Sequence, residues 1–325
     1  MRILVTGITG RIGGNLAARL VQSGHEVRGL VWEGDRRTGK LEGLGVELME
    51  GSLTDPGDVD LAVDGMEAVY HLGAAFQGGG PFTEEDYFRV NVGGTFHVLE
   101  ACRRQPGFRH LLFASTDALY EKYVPGGLDR PITEDTPRRP SGWYALSKAL
   151  GEEMCEGYWR SCRLPVTTLR FSMVLGAGEV LDFPQFYLSR MKEGRPELEA
   201  LWEGEERLVL LEDGAGRPWM KHVADVRDIV QGCLCALGKK RAHGRRYQLA
   251  GPRAFTWDEV IYRLTEILGI PFVVVRPGGI PTRYEFDLTR SMKELGFRPE
   301  YDIVRMIVDA LSHRRGEPTG VVPTS

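Results

Sequence analysis

Short apolar runs alternate along this chain with longer stretches in which apolar residues recur every three or four positions. The first run is Ile3-Leu4-Val5, and Leu16, Ala17, Leu20 and Val21 follow it at the spacing of one helical face. Further apolar runs predict strands over 25–32, 46–49, 68–72, 111–114 and 166–171. The periodic stretches between them predict helices over 84–104 and 144–159, and Asp55-Pro56 marks a short helix start, with a carboxylate at the N-cap and proline in the first turn. Strands and helices in this alternation imply an α/β fold built on a doubly wound parallel sheet.

The rhythm breaks after Gly176. Residues 179–216 mix aromatic, charged and proline residues, whereas 223–237 reads as a helix returning to the sheet. Thr256 and Glu259 have the spacing of a capping box before Val260, Ile261 and Leu264, and Gly269 closes that helix. A strand over 272–275 and helices over 288–295 and 303–311 complete the pattern. Residues 1–178 and about 217–250 are therefore assigned to a dinucleotide-binding domain. Residues 179–216 and 251–315 form a smaller substrate lobe, and 316–325 a frayed tail. The stripe Phe183, Phe186, Tyr187 and Met191 has helical spacing and reads as core or lobe wall.

Composition narrows the class. With 325 residues, 42% hydrophobic, 26% charged and a net charge of −4, the chain has no basic field for nucleic acid. No apolar run is long enough to cross a bilayer, and no leader pattern precedes the first strand, so a cytoplasmic enzyme is expected. The five cysteines are odd in number and lack a C-x-x-C pair, which suits reduced thiols; Cys233 and Cys235 read as core of an apolar helix. Seven scattered histidines form no ligand motif, and no metal is expected.

The chemistry concentrates in three places. Gly7-Ile8-Thr9-Gly10-Arg11-Ile12-Gly13 stands between a strand and a helix, where unpaired N–H groups and the helix dipole suit a pyrophosphate. Glycine is needed there because a Cβ would block the close approach of backbone and phosphate. Tyr144 and Lys148 share a helix face at i and i+4. At ~5 Å and an effective dielectric of ~20, the ammonium would favour the phenolate by roughly 3 kcal/mol, about two pKa units. A phenol so tuned can take the proton of a secondary alcohol. Ser115-Thr116-Asp117 ends a strand at the sheet's carboxyl edge, where hydroxyls can hold a substrate oxygen. Gln77 to Pro81 predicts a mobile glycine loop at the same edge.

Together these residues resemble the extended short-chain dehydrogenases/reductases, the NAD-dependent epimerase/dehydratase family. Phe113 to Tyr120 is similar to the family segment in which a hydroxyl residue four before a tyrosine assists catalysis; that position is Thr116, with Ser115 adjacent. The resemblance makes Tyr144 the general base and gives Lys148 a second role, holding the nicotinamide ribose. Asn91 matches the family's helix asparagine, and Leu72-Gly73-Ala74 the segment that passes the cofactor. Arg170-Phe171-Ser172, His222 to Val226 and Leu295 to Pro299 resemble further family segments, so the match spans nearly the whole chain. It implies a Rossmann-type sheet with a smaller C-terminal α/β lobe, and a homodimer through the helices over 84–104 and 144–159. Cofactor contacts are expected at Gly7, Thr9, Gly10, Arg11, Ile12, Trp32, Glu33, Ser52, Leu53, Leu72, Gly73, Ala74, Asn91, Tyr144 and Lys148.

Departures from the family pattern bear on substrate. Ala118 replaces the second acid of the dehydratases, and Met173 an asparagine that contacts diphosphate; a thioether cannot donate that bond. Arg283 resembles an arginine that grips diphosphate, and Arg217 is a second anion contact. Phe76 and Asp117 complete the expected substrate set. Glu33 favours NAD, whereas Arg36 and Arg37 leave NADP open. The expected activity is NAD(P)-dependent oxidation and reduction of a secondary alcohol on a sugar or sugar derivative, of nucleotide-sugar epimerase type. The alternatives are a net dehydrogenase of a smaller alcohol, sugar acid, aldehyde or ketone, and a non-catalytic dinucleotide sensor.

Overall fold

The computed structural model describes residues 1–76 and 82–324. The glycine loop expected over 77–81 lies outside the described residues.

Seven strands form one parallel sheet in the order β3-β2-β1-β4-β5-β6-β11. They are β1 (Arg2–Thr6), β2 (Glu26–Val31), β3 (Glu47–Glu50), β4 (Ala68–His71), β5 (His110–Thr116), β6 (Val166–Phe171) and β11 (Arg246–Leu249). Strands β4, β5 and β6 are buried throughout, as a sheet covered on both faces requires. The order reverses between β1 and β4, and a crevice opens at the strands' carboxyl ends at such a point. Helices α1 (Arg11–Gln22), α2 (Pro56–Val63), α3 (Glu84–Asp86), α4 (Gly94–Arg104) and α5 (Trp143–Cys162) connect the strands. Leu16, Ala17 and Leu20 of α1 are buried, and Asp55 accepts from Gly57 and Asp58 as the N-cap of α2.

Beyond β6 the chain builds a second cluster. Strand β7 (Met173–Leu175) leads into short helices α6 (Leu188–Met191) and α7 (Pro196–Glu199), then β8 (Leu208–Leu211), β9 (Met220–Lys221) and β10 (Val223–Asp225). Helix α8 (Val226–Ala236) returns to the sheet, and β12 (Phe255–Thr256), α9 (Trp257–Leu268), β13 (Phe272–Val275) and α10 (Ile303–Arg314) follow. Phe183, Phe186, Met191, Leu208 to Leu211, Trp257 and Ile307 share one apolar core. Strand β13 pairs in parallel with β8, an apolar run within the mixed stretch 179–216, for which no strand is predicted.

Four sequence expectations need correction. The stretch 84–104 is helical but not uniformly α, because Tyr87–Gly93 forms a π turn between α3 and α4. The region near 288–295 is likewise a π turn, Ser291–Leu295. Thr256 is the N-cap of α9 but its side chain caps nothing, and the Glu259 carboxylate pairs with Arg253, so the capping box does not form. Residues 316–324 do not fray: Asn15 pairs both ways with the Val322 backbone, at 2.7 Å and 2.9 Å, and Lys40 donates to the Thr324 carbonyl at 2.5 Å. The tail thus runs beside the start of α1.

Candidate active site

The glycine turn after β1 is held by steric necessity. Gly7 sits at φ +69°, and a Cβ there would lie 2.7 Å from the Gly73 nitrogen; at Gly13 a Cβ would fall 2.2 Å from the Gly7 carbonyl oxygen. Gly10 is the N-cap of α1 and no side chain caps it, so the first-turn N–H groups, including those of Arg11 and Ile12, are left for an anion. Opposite lies the segment Leu72-Gly73-Ala74, with the Gly73 amide donating to the Thr6 hydroxyl and the Leu53 side chain against the glycine. Ser52 bonds Thr54 and the Asp58 carboxylate beside Leu53.

The acid that reaches this turn is Asp35, whereas Glu33 stands exposed after β2 next to exposed Trp32. Thr9 donates to Asp35 at 2.6 Å, and the Arg37 guanidinium holds that carboxyl down at about 2. Arg37 is thereby paired rather than free for a ribose phosphate. Arg11 turns sideways onto Glu179, at 2.7 Å.

Asn91, on the π turn, fastens two walls together. It accepts from the Ala75 amide, donates to the Ala75 carbonyl, and donates to Ser147, whose hydroxyl reaches the Tyr144 carbonyl. The loop after β4 and the start of α5 are thus fixed to each other next to Tyr144.

Thr116 and Tyr144 converge at the end of β5, where the threonine hydroxyl bears on the phenol and favours its ionised form. Burial nevertheless dominates and pushes the phenol well above its ordinary value. This corrects the electrostatic expectation. Lys148 is buried, its ammonium lies 4.4 Å from the centre of the Phe113 ring, and it is not among the charges acting on Tyr144. Burial lowers Lys148 itself to about 8. Ser115 is a second correction. Successive strand residues face opposite sides of a sheet, and its hydroxyl donates to buried Glu152 at 2.6 Å, away from Thr116. Glu152 binds Arg170 through two bonds, so Ser115 belongs to a structural ion-pair network.

The expected substrate residues are spread around this point. Phe76 packs edge-on to Tyr144 with ring centres 5.3 Å apart. Met173 begins β7 and keeps 39% of its surface. Arg217 pairs with Asp213 at 2.7 Å, and Arg283 donates to the Pro218 carbonyl at 3.3 Å, so both arginines are already engaged. Asp117 is buried and forms an ion pair with buried Lys122. A second buried lysine, Lys221 on β9, feels the charges of both. Neither lysine belongs to a motif the sequence singles out, and the burial of each is set by segments distant in the chain.

The sequence profile of the NAD dependent epimerase/dehydratase family matches residues 3–250. The chain belongs to the NAD-dependent epimerase/dehydratase family. Among family relatives, the UDP-glucose 4-epimerase of Corynebacterium glutamicum is 27% identical over 323 residues, covering 95% of this chain and 94% of that protein. The dTDP-glucose 4,6-dehydratase of Streptomyces griseus is 30% identical over 318 residues, covering 93% and 90%. A crystal structure of a short-chain dehydrogenase/reductase superfamily protein from Agrobacterium tumefaciens, with bound NAD, matches at a TM-score of 0.85 and 32% identity, covering 97% of this chain and 98% of that one. The match to the Agrobacterium structure takes in both the parallel sheet and the second cluster.

Proposed function

We propose that the protein is an NAD-dependent oxidoreductase of the epimerase type, acting on a secondary alcohol of a sugar or sugar derivative. The observation that carries this reading is the meeting of Thr116 and Tyr144 at the same sheet edge as an uncapped, glycine-walled helix start. The residues present fit a dinucleotide: free first-turn amides for the pyrophosphate, and an acid, Asp35, hooked to the turn through Thr9. Glu33 and Trp32 are exposed nearby for the adenosine, and Ser52 and Leu53 stand for the adenine.

A dinucleotide held at this turn would supply the hydride acceptor for the alcohol carbon. Every other role falls to side chains of the chain. Tyr144 takes the alcohol proton, Thr116 orients the alcohol oxygen, Lys148 holds the ribose, and Asn91 fixes the wall behind them. Because Tyr144 and Lys148 are both displaced by burial, positive charge brought beside the phenol has a large lever on it.

A second reading, net dehydrogenation of a smaller alcohol, is favoured by Met173, which offers no hydrogen-bond donor where a diphosphate would lie. The two readings separate on one measurement. The protein is denatured and released nucleotide is identified: tightly held NAD supports the epimerase, and a site filled only by added NAD supports the dehydrogenase. We further propose a homodimer through α4 and α5, whose outer faces expose Phe96, Trp143, Leu146 and Leu150. A monomeric mass in solution would remove that proposal.

A further inference from the structure

Beside the Thr116–Tyr144 pair lies a buried charge cluster that does not balance. Lys122 and Lys221 retain 6% and 9% of their surface, and Asp117 retains 8%. Lys122 forms an ion pair with Asp117. Lys221 has no acid within ion-pair distance among the described residues. Two ammonium groups therefore share one carboxylate, leaving an excess positive charge in a region nearly closed to water. Burial, then the neighbouring Lys122, lowers Lys221 to about 8.

The walls of the cluster are aromatic. The Lys221 ammonium stands 4.9 Å from the centre of the Phe183 ring, and that of Lys122 stands 4.9 Å from the centre of the Tyr284 ring. Tyr284 is 1% exposed, and its ring stacks edge-on against Tyr123. Its backbone amide donates to Met220, the residue before Lys221. A ring face steadies a cation but does not replace a counter-ion, and a buried unpaired charge is costly. A buried ammonium without an acid of its own, beside an ion pair that already uses the one carboxylate present, is a donor for an anion.

Position decides which anion. Asp117 directly follows Thr116, and its charge acts on the Tyr144 phenol as well as on Lys221. Thr116 ends β5, Asp117 follows it and Lys122 pairs with Asp117, so the cluster stands at the sheet edge that carries Thr116. We propose that Lys221 binds an anionic group, carboxylate or phosphate, carried by the alcohol that Tyr144 deprotonates. This rests on the oxidoreductase reading given above and narrows its substrate to acidic sugar derivatives. Lys221 is then a specificity-determining residue, and Asp117 the internal counter-ion that keeps Lys122 from competing for the ligand.

The test uses the full chain loaded with NADH and measures binding of three probes by calorimetry: a hexuronate, a hexose 6-phosphate and the neutral hexose. The parent is expected to bind one of the two anionic probes roughly 10- to 100-fold more tightly than the neutral sugar, the range for a charged hydrogen bond. Which probe wins assigns carboxylate or phosphate. Lys221→Met should abolish the preference and Lys221→Arg retain part of it, with NADH affinity unchanged in both as the check on folding. Equal or absent binding of the anions by the parent overturns the proposal, as does a preference that survives in Lys221→Met. Parental turnover in Tyr144→Phe would instead defeat the oxidoreductase reading, and the binding preference is read independently of it.

Discussion

Thr116 and Ser115 are neighbours in sequence with opposite fates. Because a strand alternates its faces, one hydroxyl meets the Tyr144 phenol and the other is locked to Glu152 and Arg170. Substitutions should separate them. Tyr144→Phe is expected to lower kcat by about 10²- to 10⁴-fold, the usual worth of a general base, with NADH binding by fluorescence titration unaltered. Thr116→Val should lower kcat in the same direction. Ser115→Ala should instead lower stability by about 1–3 kcal/mol in urea denaturation, the cost of leaving a buried charged acceptor short of a donor, with little change in kcat. The sequence named both hydroxyls because a motif fixes position along the chain and says nothing of which face a residue takes. It missed Lys122 and Lys221 for a related reason: burial of a lysine is decided by distant elements, here β9 and the segment around Tyr284.

Elements were legible where their own side chains set them. Strands β1, β4 and β5 are continuous apolar runs, and α1 shows its buried face as a period. Strand β8, Leu208 to Leu211, is an apolar run too, but its partner β13 lies far along the chain and that pairing leaves no local signal. The π turn at Tyr87–Gly93 also leaves no periodic trace, yet it carries Asn91. Asn91→Leu would strand the Ala75 amide and carbonyl, each costing about 1–3 kcal/mol, and should detach the loop after β4 from α5. The expected outcome is a lower denaturation midpoint together with a raised KM. Gly13→Ala tests the glycine turn: its Cβ meets backbone at 2.2 Å, so NADH binding should be lost even if the helix persists.

For the molecule as a whole, three histidines are buried in neutral form. Burial lowers His71 and His110 to about 3 and His222 to about 4. Their unfolded counterparts take a proton near 6.5, so between pH 6.5 and about 4 the unfolded chain binds more protons and stability falls as pH falls. Each contributes about 1.4 kcal/mol per pH unit in that window. Asp228, raised to about 6 by burial, and Glu134, also raised by burial, oppose them, two groups against three. Thermal melts should therefore drop steeply from pH 6.5 downward, and a flat profile would contradict the burial of these rings. The tail that runs beside α1 adds a last consequence. Asn15 finds its partner in Val322, 307 positions later, so during synthesis the nucleotide turn is complete long before its fastening arrives. The first helix of the sheet is thus stitched down by a residue made some three hundred positions after it, and its amino end gains that support only once the second lobe has been made.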